Sequence, residues 1–148
     1  MKQVDFYLIE NRINHAGLKL ASRLAKKLQG LEQSTIMVVE NAETLARLDE
    51  TLWTFSDTSF VAHDRISGSA RARCKTHLAL TTELENQLME QHYDVLVNLS
   101  AAVPGCCHHF ARIADIVEVD EDARVAGRNR FRQYRDEGFE IKTHSLEL

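Results

Sequence analysis

The sequence predicts an α/β fold: a three-layer sandwich with a largely parallel or mixed central sheet, Rossmann-like but without a nucleotide-binding loop. Three observations carry this. Short β-branched and aromatic runs alternate with stretches of helical periodicity along the chain, the pattern of strands joined by crossover helices. Runs such as STIMVVE (34–40) and YDVLVNLS (93–100) are apolar at consecutive positions, as a strand covered on both faces requires. The first strand-to-helix connection, ENRINHAG (10–17), holds a single glycine, and neither G-x-G-x-x-G nor G-x-x-x-x-G-K-[ST] occurs; the fold class is thus predicted without its usual phosphate cradle.

The elements follow in order. VDFYLIE (4–10) opens the fold as a strand. In HAGLKLASRLAKKLQ (15–29), Leu18, Ala21, Leu24, Ala25 and Leu28 share one helical face, with Gly30 as the C-cap. STIMVVE is a buried strand. NAETLARLDETLW (41–53) is a helix capped by Asn41, with Leu45, Leu48, Leu52 and Trp53 on one side. A short apolar piece, SFVAH (59–63), precedes the polar loop DRISGSARARCK (64–75). HLALTT (77–82) and YDVLVNLS are strands, and ELENQLMEQH (83–92) between them is a weak helix or an acidic loop. PGCCHHFARIA (104–114) is a short helix with Pro104 near its start. DIVEV (115–119) is a strand, an arginine-rich helix follows, and FEIKTHSL (139–146) is an edge strand. No linker or repeat divides the 148 residues, which are expected to form one domain, 1–148.

Composition narrows the function classes. A net charge of −4 and 44% hydrophobic residues fit a globular protein without bulk affinity for nucleic acid. There is no signal peptide and no apolar run of membrane-spanning length. Three cysteines, two of them adjacent, make no disulfide framework, so a reducing cytoplasm is the expected location.

Tests for chemistry return little. Cys106, Cys107, His108 and His109 are contiguous, whereas zinc ligands are spaced so that their side chains converge. No metal or other cofactor is expected. Ser100 ends a strand, but no G-x-S-x-G elbow surrounds it. Asp49 and Glu50 are adjacent on a helix and do not face each other. Arg71, Arg73 and Lys75 lie in a Gly/Ser-containing loop, read as an exposed segment.

One feature stands out. Of twelve arginines, five fall between residues 124 and 135: Arg124, Arg128, Arg130, Arg132 and Arg135. On a helical wheel with Arg124 at zero, Arg135 falls at about 20°, Arg128 at about 40° and Arg132 at about 80°, with Phe131 at about −20°. Arg130 is well away. Asp120, Glu121 and Asp122 occupy the helix start, where the dipole favours them. Like charges at i,i+4 repel, a cost without structural return unless anions meet them. Guanidinium forks bind carboxylate or phosphate, and the neighbouring ring offers an apolar contact. Two ligands fit: an acidic peptide with an apolar end, or single-stranded nucleic acid.

FYLIEN (6–11), RLDETLW (47–53), SFVAHD (59–64), DVLVNL (94–99) and RNRFRQYRDEGFEI (128–141), in this order and spacing, resemble the chi subunit of bacterial DNA polymerase III nearly end to end. The resemblance implies an α/β fold and no catalytic site. It implies an accessory subunit that joins the clamp loader to the acidic, Pro-Phe-ended tail of single-stranded-DNA-binding protein, so that contact with DNA is mostly indirect. By similarity the tail site maps to Arg124, Arg128, Phe131 and Arg132 with Val117 at its edge. The site for a psi subunit, or for a repair helicase on the same surface, maps to Trp53, Phe60 and Val61. The chain departs from the family pattern at Ala62, where proline is familiar, at Phe131, where tyrosine is, and at Arg124 and Arg132, where lysine is. Two other classes remain open from the residues alone: a small α/β nucleotide-binding protein or enzyme, and a direct binder of single-stranded DNA.

Overall fold

Seven strands among the described residues lie in one sheet, and every neighbouring pair is parallel. They belong to a computed structural model that describes residues 2–54, 64–66, 78–82, 93–105 and 107–148. The elements are β1 (Gln3–Ile9), α1 (Ala16–Gly30), β2 (Thr35–Val38), α2 (Ala42–Thr54), β3 (Asp64–Ile66), β4 (Leu78–Thr81), β5 (Val95–Asn98), a 3₁₀ turn (Cys107–His109), β6 (Arg112–Val117), α3 (Glu121–Asp136) and β7 (Glu140–Leu146). The strand order is β3-β4-β2-β5-β6-β1-β7. Of the two expected sheet types, the parallel one is realised.

Alternation along the strands divides the core in two. Met37, Val39, Val95, Val97, Ala114 and Ile116 pack with Leu24 and Leu28 of α1 and Leu48 and Leu52 of α2. Val4, Phe6, Ile36, Val38, Leu96, Ile113 and Val117 point the other way and pack with Tyr134 of α3 and with Phe110 and Phe139. Helices therefore cover both faces, which explains the unbroken apolar runs of β2 and β5. β7 is different. It pairs with β1 from Gln3↔Glu140 to Ile9↔Leu146 and is mostly exposed, as an edge strand should be. His144 Nε2 lies 3.0 Å from Asp5 Oδ1, and its ring stacks on Tyr7 at 5.1 Å, pinning this edge to β1.

Helix ends show where local chemistry and prediction agree. Asn41 Oδ1 accepts from the Thr44 backbone N–H at 2.9 Å, the expected cap of α2. Asp120 caps α3 by accepting from Ala123 N–H at 3.2 Å. The α1 terminus needs a correction. Gly30 is still helical, and the left-handed residue is Glu32, at φ 56°. Glu32 N–H donates to Gln29 O and Gln33 N–H to Leu28 O, both at 3.0 Å, a Schellman ending two residues beyond the glycine. At α3 the same ending carries Gly138 at φ 91° in the left-handed place. A second correction concerns 104–114. Only Cys107–His109 forms a 3₁₀ turn, and β6 begins already at Arg112, because Ile113 and Ala114 continue the buried strand pattern of the residues after them.

Asp64–Ile66, expected to open the polar loop 64–75, instead pair with β4 as β3; the segments 55–63, 67–77 and 83–92 lie outside the described residues, and with them the expectations for SFVAH, for the rest of that loop and for ELENQLMEQH.

Replacing Glu32 by glycine should stabilise the protein. The left-handed conformation costs an L-residue about 1–2 kcal/mol, partly offset by glycine's greater freedom when unfolded. Urea denaturation of Glu32→Gly is expected to show a midpoint raised by an amount equivalent to about 0.5–1 kcal/mol, while Gly30→Ala, with open space at its Cβ, should not destabilise.

Candidate functional site

Arg124, Arg128, Arg132 and Arg135 line one open groove of about 410 Å³ between α3 and the sheet, together with Phe6 and Leu8 of β1, Val117 of β6, Gly127 and Phe131 of α3, and Thr143 of β7. All five residues mapped to the tail site, Val117 among them, meet here. The floor is apolar and the α3 wall is cationic. Phe131 leans on Phe6, ring centroids 5.6 Å apart, yet stays 38% exposed, a large ring left partly in water beside the arginines.

Two contacts set how α3 lies on the sheet. The first is steric. A Cβ on Gly127 would fall 3.0 Å from Val117 Cγ2, tighter than most side-chain contacts, so glycine lets the helix approach β6 closely. The second is electrostatic. Arg130 is buried, and its Nε and Nη2 donate to both carboxylate oxygens of Asp115 at 2.9–3.1 Å. Tyr134 Oη donates to Asp115 Oδ2 at 3.0 Å, Asn98 Nδ2 to the same oxygen at 3.3 Å, and Arg130 Nη1 to Ala101 O at 3.0 Å. Each of these buried polar groups is thus answered. Burial drives the Asp115 carboxyl upward from the ordinary carboxylate range, and the Arg130 guanidinium opposes it. Burial, reinforced by the Asp115 charge, likewise pushes the Tyr134 hydroxyl up.

Gly127, Arg130 and Tyr134 form the inner stripe of α3, so Arg130 is the structural arginine and the other four are turned outward. Their states differ. Arg124 Nη2 donates to Ile9 O at 3.0 Å and lies 3.5 Å from Glu10 Oε2. Arg128 faces Glu121 across 3.5 Å in an exposed pair. Arg135 faces Asp136 at 3.6 Å, also exposed. Arg132 has no ion-pair partner among the described residues. Exposed pairs of this kind contribute little and exchange easily, so three of the four guanidinium groups can be captured by an incoming anion.

The wheel located the cationic face but not its floor. Phe6, Leu8 and Thr143 reach the groove only because β1 and β7 are neighbours in the sheet, which sequence spacing does not show. The Asp115–Arg130 pair was also missed. Its signal was a lone acid at the centre of RIADIV, on the same alternating set as Ile113 and Val117. Trp53 lies in the last turn of α2, of which only the backbone is described; Phe60 and Val61 lie outside the described residues.

The other candidates among the described residues lie apart from the groove. Cys107 is buried, with its thiol pushed up by burial, while His108 and His109 are exposed. Among the described residues no three His, Cys, Asp or Glu side chains are placed to hold a metal. Ser100 Oγ donates to Asn98 Oδ1 at 2.6 Å, a local turn contact. No helix among the described residues is long and apolar enough to cross a membrane.

Fold and site together define a class: an all-parallel α/β protein that carries an arginine-walled, apolar-floored surface groove. The chain belongs to the DNA polymerase III chi subunit (HolC) family, whose model matches residues 1–142. It is 30% identical over 146 residues to DNA polymerase III subunit chi of Pseudomonas aeruginosa, covering 99% of this chain and 98% of the relative. It is 26% identical to the subunit of the same name from Haemophilus influenzae, covering 98% of each, and 24% identical to that of Escherichia coli K12, covering 97% of each.

Removing one partner of the buried pair leaves the other charge stranded. Asp115→Ala is expected to cost about 3–5 kcal/mol in urea denaturation, far more than Glu121→Ala, which breaks only an exposed pair and should change stability by about 0.5 kcal/mol or less.

Proposed function

We propose that this chain is a non-catalytic accessory subunit of a cytoplasmic DNA polymerase III. It bridges the clamp-loader complex, through a psi-like subunit, to the C-terminal tail of single-stranded-DNA-binding protein during replication. Three named DNA polymerase III subunit chi relatives support the assembly. The observation that carries the tail reading is the groove itself: four arginines above an apolar floor, with Phe131 partly in water.

The binding step follows from that geometry. An acidic peptide approaches a surface whose local field is positive although the chain is acidic overall. Its carboxylates displace Glu121 and Asp136 from Arg128 and Arg135 and meet Arg132, which has no ion-pair partner among the described residues. The planar guanidinium fork can hold both oxygens of a carboxylate. The apolar terminal ring settles against Phe6, Leu8, Val117 and Phe131. Each charge-assisted bond contributes about 1.5–3 kcal/mol before screening and ordering reduce it. A net of about 8 kcal/mol, micromolar affinity, suits a contact that is released and re-formed. Arg124 is held by Ile9 O and Glu10, so its role is to fix the groove's end and add field rather than to swing onto the ligand. The psi-like partner, or a repair helicase, is assigned to Trp53, Phe60 and Val61 by the family resemblance alone.

Calorimetric titration with an acidic peptide ending in a free Pro-Phe carboxylate tests this. Micromolar binding is expected, weakened about tenfold or more both by C-terminal amidation and by Arg128→Ala. Binding of naked single-stranded oligonucleotide with a steep salt dependence, and none of the peptide, would instead make the groove a nucleic-acid site.

A further inference from the structure

Beside the groove lies a sheet edge, β7, with no strand on its outer side among the described residues. In the parallel ladder of β7 on β1, Glu140 N–H donates to Lys2 O at 2.9 Å, and Leu146 O accepts from Glu10 N–H at 2.8 Å. Groups of one parity therefore point into the sheet: those of Glu140, Lys142, His144 and Leu146. The N–H and C=O groups of Ile141, Thr143 and Ser145 point outward, and take no partner among the described residues. The same three residues turn their side chains to the α3 face, since Thr143 is opposite Phe6 and lines the groove. The open backbone edge and the arginine wall thus flank one channel. Charged Glu140 and Lys142 stand on this edge, but its backbone stays regular: the register with β1 is unbroken from end to end, without a bulge, and no proline interrupts it.

We propose that β7 is a strand-addition surface. The acidic segment that precedes the tail's apolar end pairs with the outward backbone of Ile141, Thr143 and Ser145 as an eighth strand, while its carboxylates meet Arg128, Arg132 and Arg135. This rests on the tail reading above and extends it. Charge selects the occupant: a strand lying here has the arginines of α3 on one side, while on the other face of the sheet the exposed Glu140 and Lys142 offset each other, so an acidic chain is favoured. Main-chain hydrogen bonds supply affinity that does not depend on the exact acidic sequence. The groove then reads the terminal ring and carboxylate, and the edge reads extended backbone.

The test compares three peptides at one salt concentration: the terminal residues alone, a longer acidic peptide, and the longer peptide N-methylated at alternate upstream residues. Amide hydrogen exchange of β7 is followed by NMR alongside affinity. The long peptide should bind about fivefold or more tightly than the short one, and N-methylation in one of the two parities should remove that gain. Thr143 and Ser145 amides should slow by about tenfold or more in the complex, whereas Lys142 and His144, already paired to β1, should change little. A gain that survives N-methylation in both parities, with unchanged Thr143 and Ser145 exchange, would overturn strand addition while leaving the groove reading intact. Failure of all three peptides to bind would overturn both.

Discussion

The buried contact between Asp115 and Arg130 is the constraint on which the functional surface depends. A charge pair in a protein interior is costly unless its geometry is close and its remaining hydrogen-bonding capacity is met. Here Arg130 addresses both oxygens of Asp115, and Tyr134 and Asn98 complete the carboxylate. Such an arrangement tolerates little rotation of α3. Together with the close approach at Gly127 it fixes which side of the helix faces the sheet, and so which side faces out. One arginine holds the helix so that the other four line the groove.

The sheet order completes what the helix begins. α3 connects β6 to β7, passing over β1, so its outer flank looks down on β1 and on the edge strand beyond it. The apolar floor is therefore the same β1 that builds the core: Phe6 touches Tyr134 inside and Phe131 outside, at 5.7 and 5.6 Å between ring centroids. Phe6 thus belongs to the core and to the groove floor at once. The acid content of the chain has a part as well. Glu10, Glu121 and Asp136 stand against three of the arginines, which relieves repulsion along the helix while the groove is empty, and their exposed pairs at Arg128 and Arg135 are weak enough to be exchanged for a ligand's carboxylates.

Much of this was legible before the structure. Apolar runs and helical periodicity placed the main strands and helices, and the wheel placed Arg124, Arg128, Phe131, Arg132 and Arg135 on one face, where the structure has them. Two kinds of feature were not legible. Local endings depend on backbone geometry: the left-handed place after α1 falls on Glu32 although Gly30 is the better candidate by residue type, and 104–114 gives way to β6 because tertiary pairing with β1 and β5 outweighs a helical start at Pro104. Contacts made across the sheet depend on strand order: Phe6, Leu8 and Thr143 reach the groove, and Asp115 reaches Arg130, through neighbours distant in sequence. A lone carboxylate in an apolar strand and an arginine on the inner side of the wheel were two halves of one signal, each ambiguous by itself.

The division of the arginines is the central claim, and the side-chain NMR signals of the five guanidinium groups test it most directly. Their Nε–H resonances would be followed while an acidic, free-carboxylate tail peptide is titrated in. Arg130 Nε–H, bonded to Asp115 inside the protein, should be protected from solvent exchange beforehand and unmoved throughout. Those of Arg128, Arg132 and Arg135 should exchange fast in the free protein and shift on binding. A shifting Arg130 with the other three unmoved, or shifts centred on α1 and α2 instead, would contradict the account.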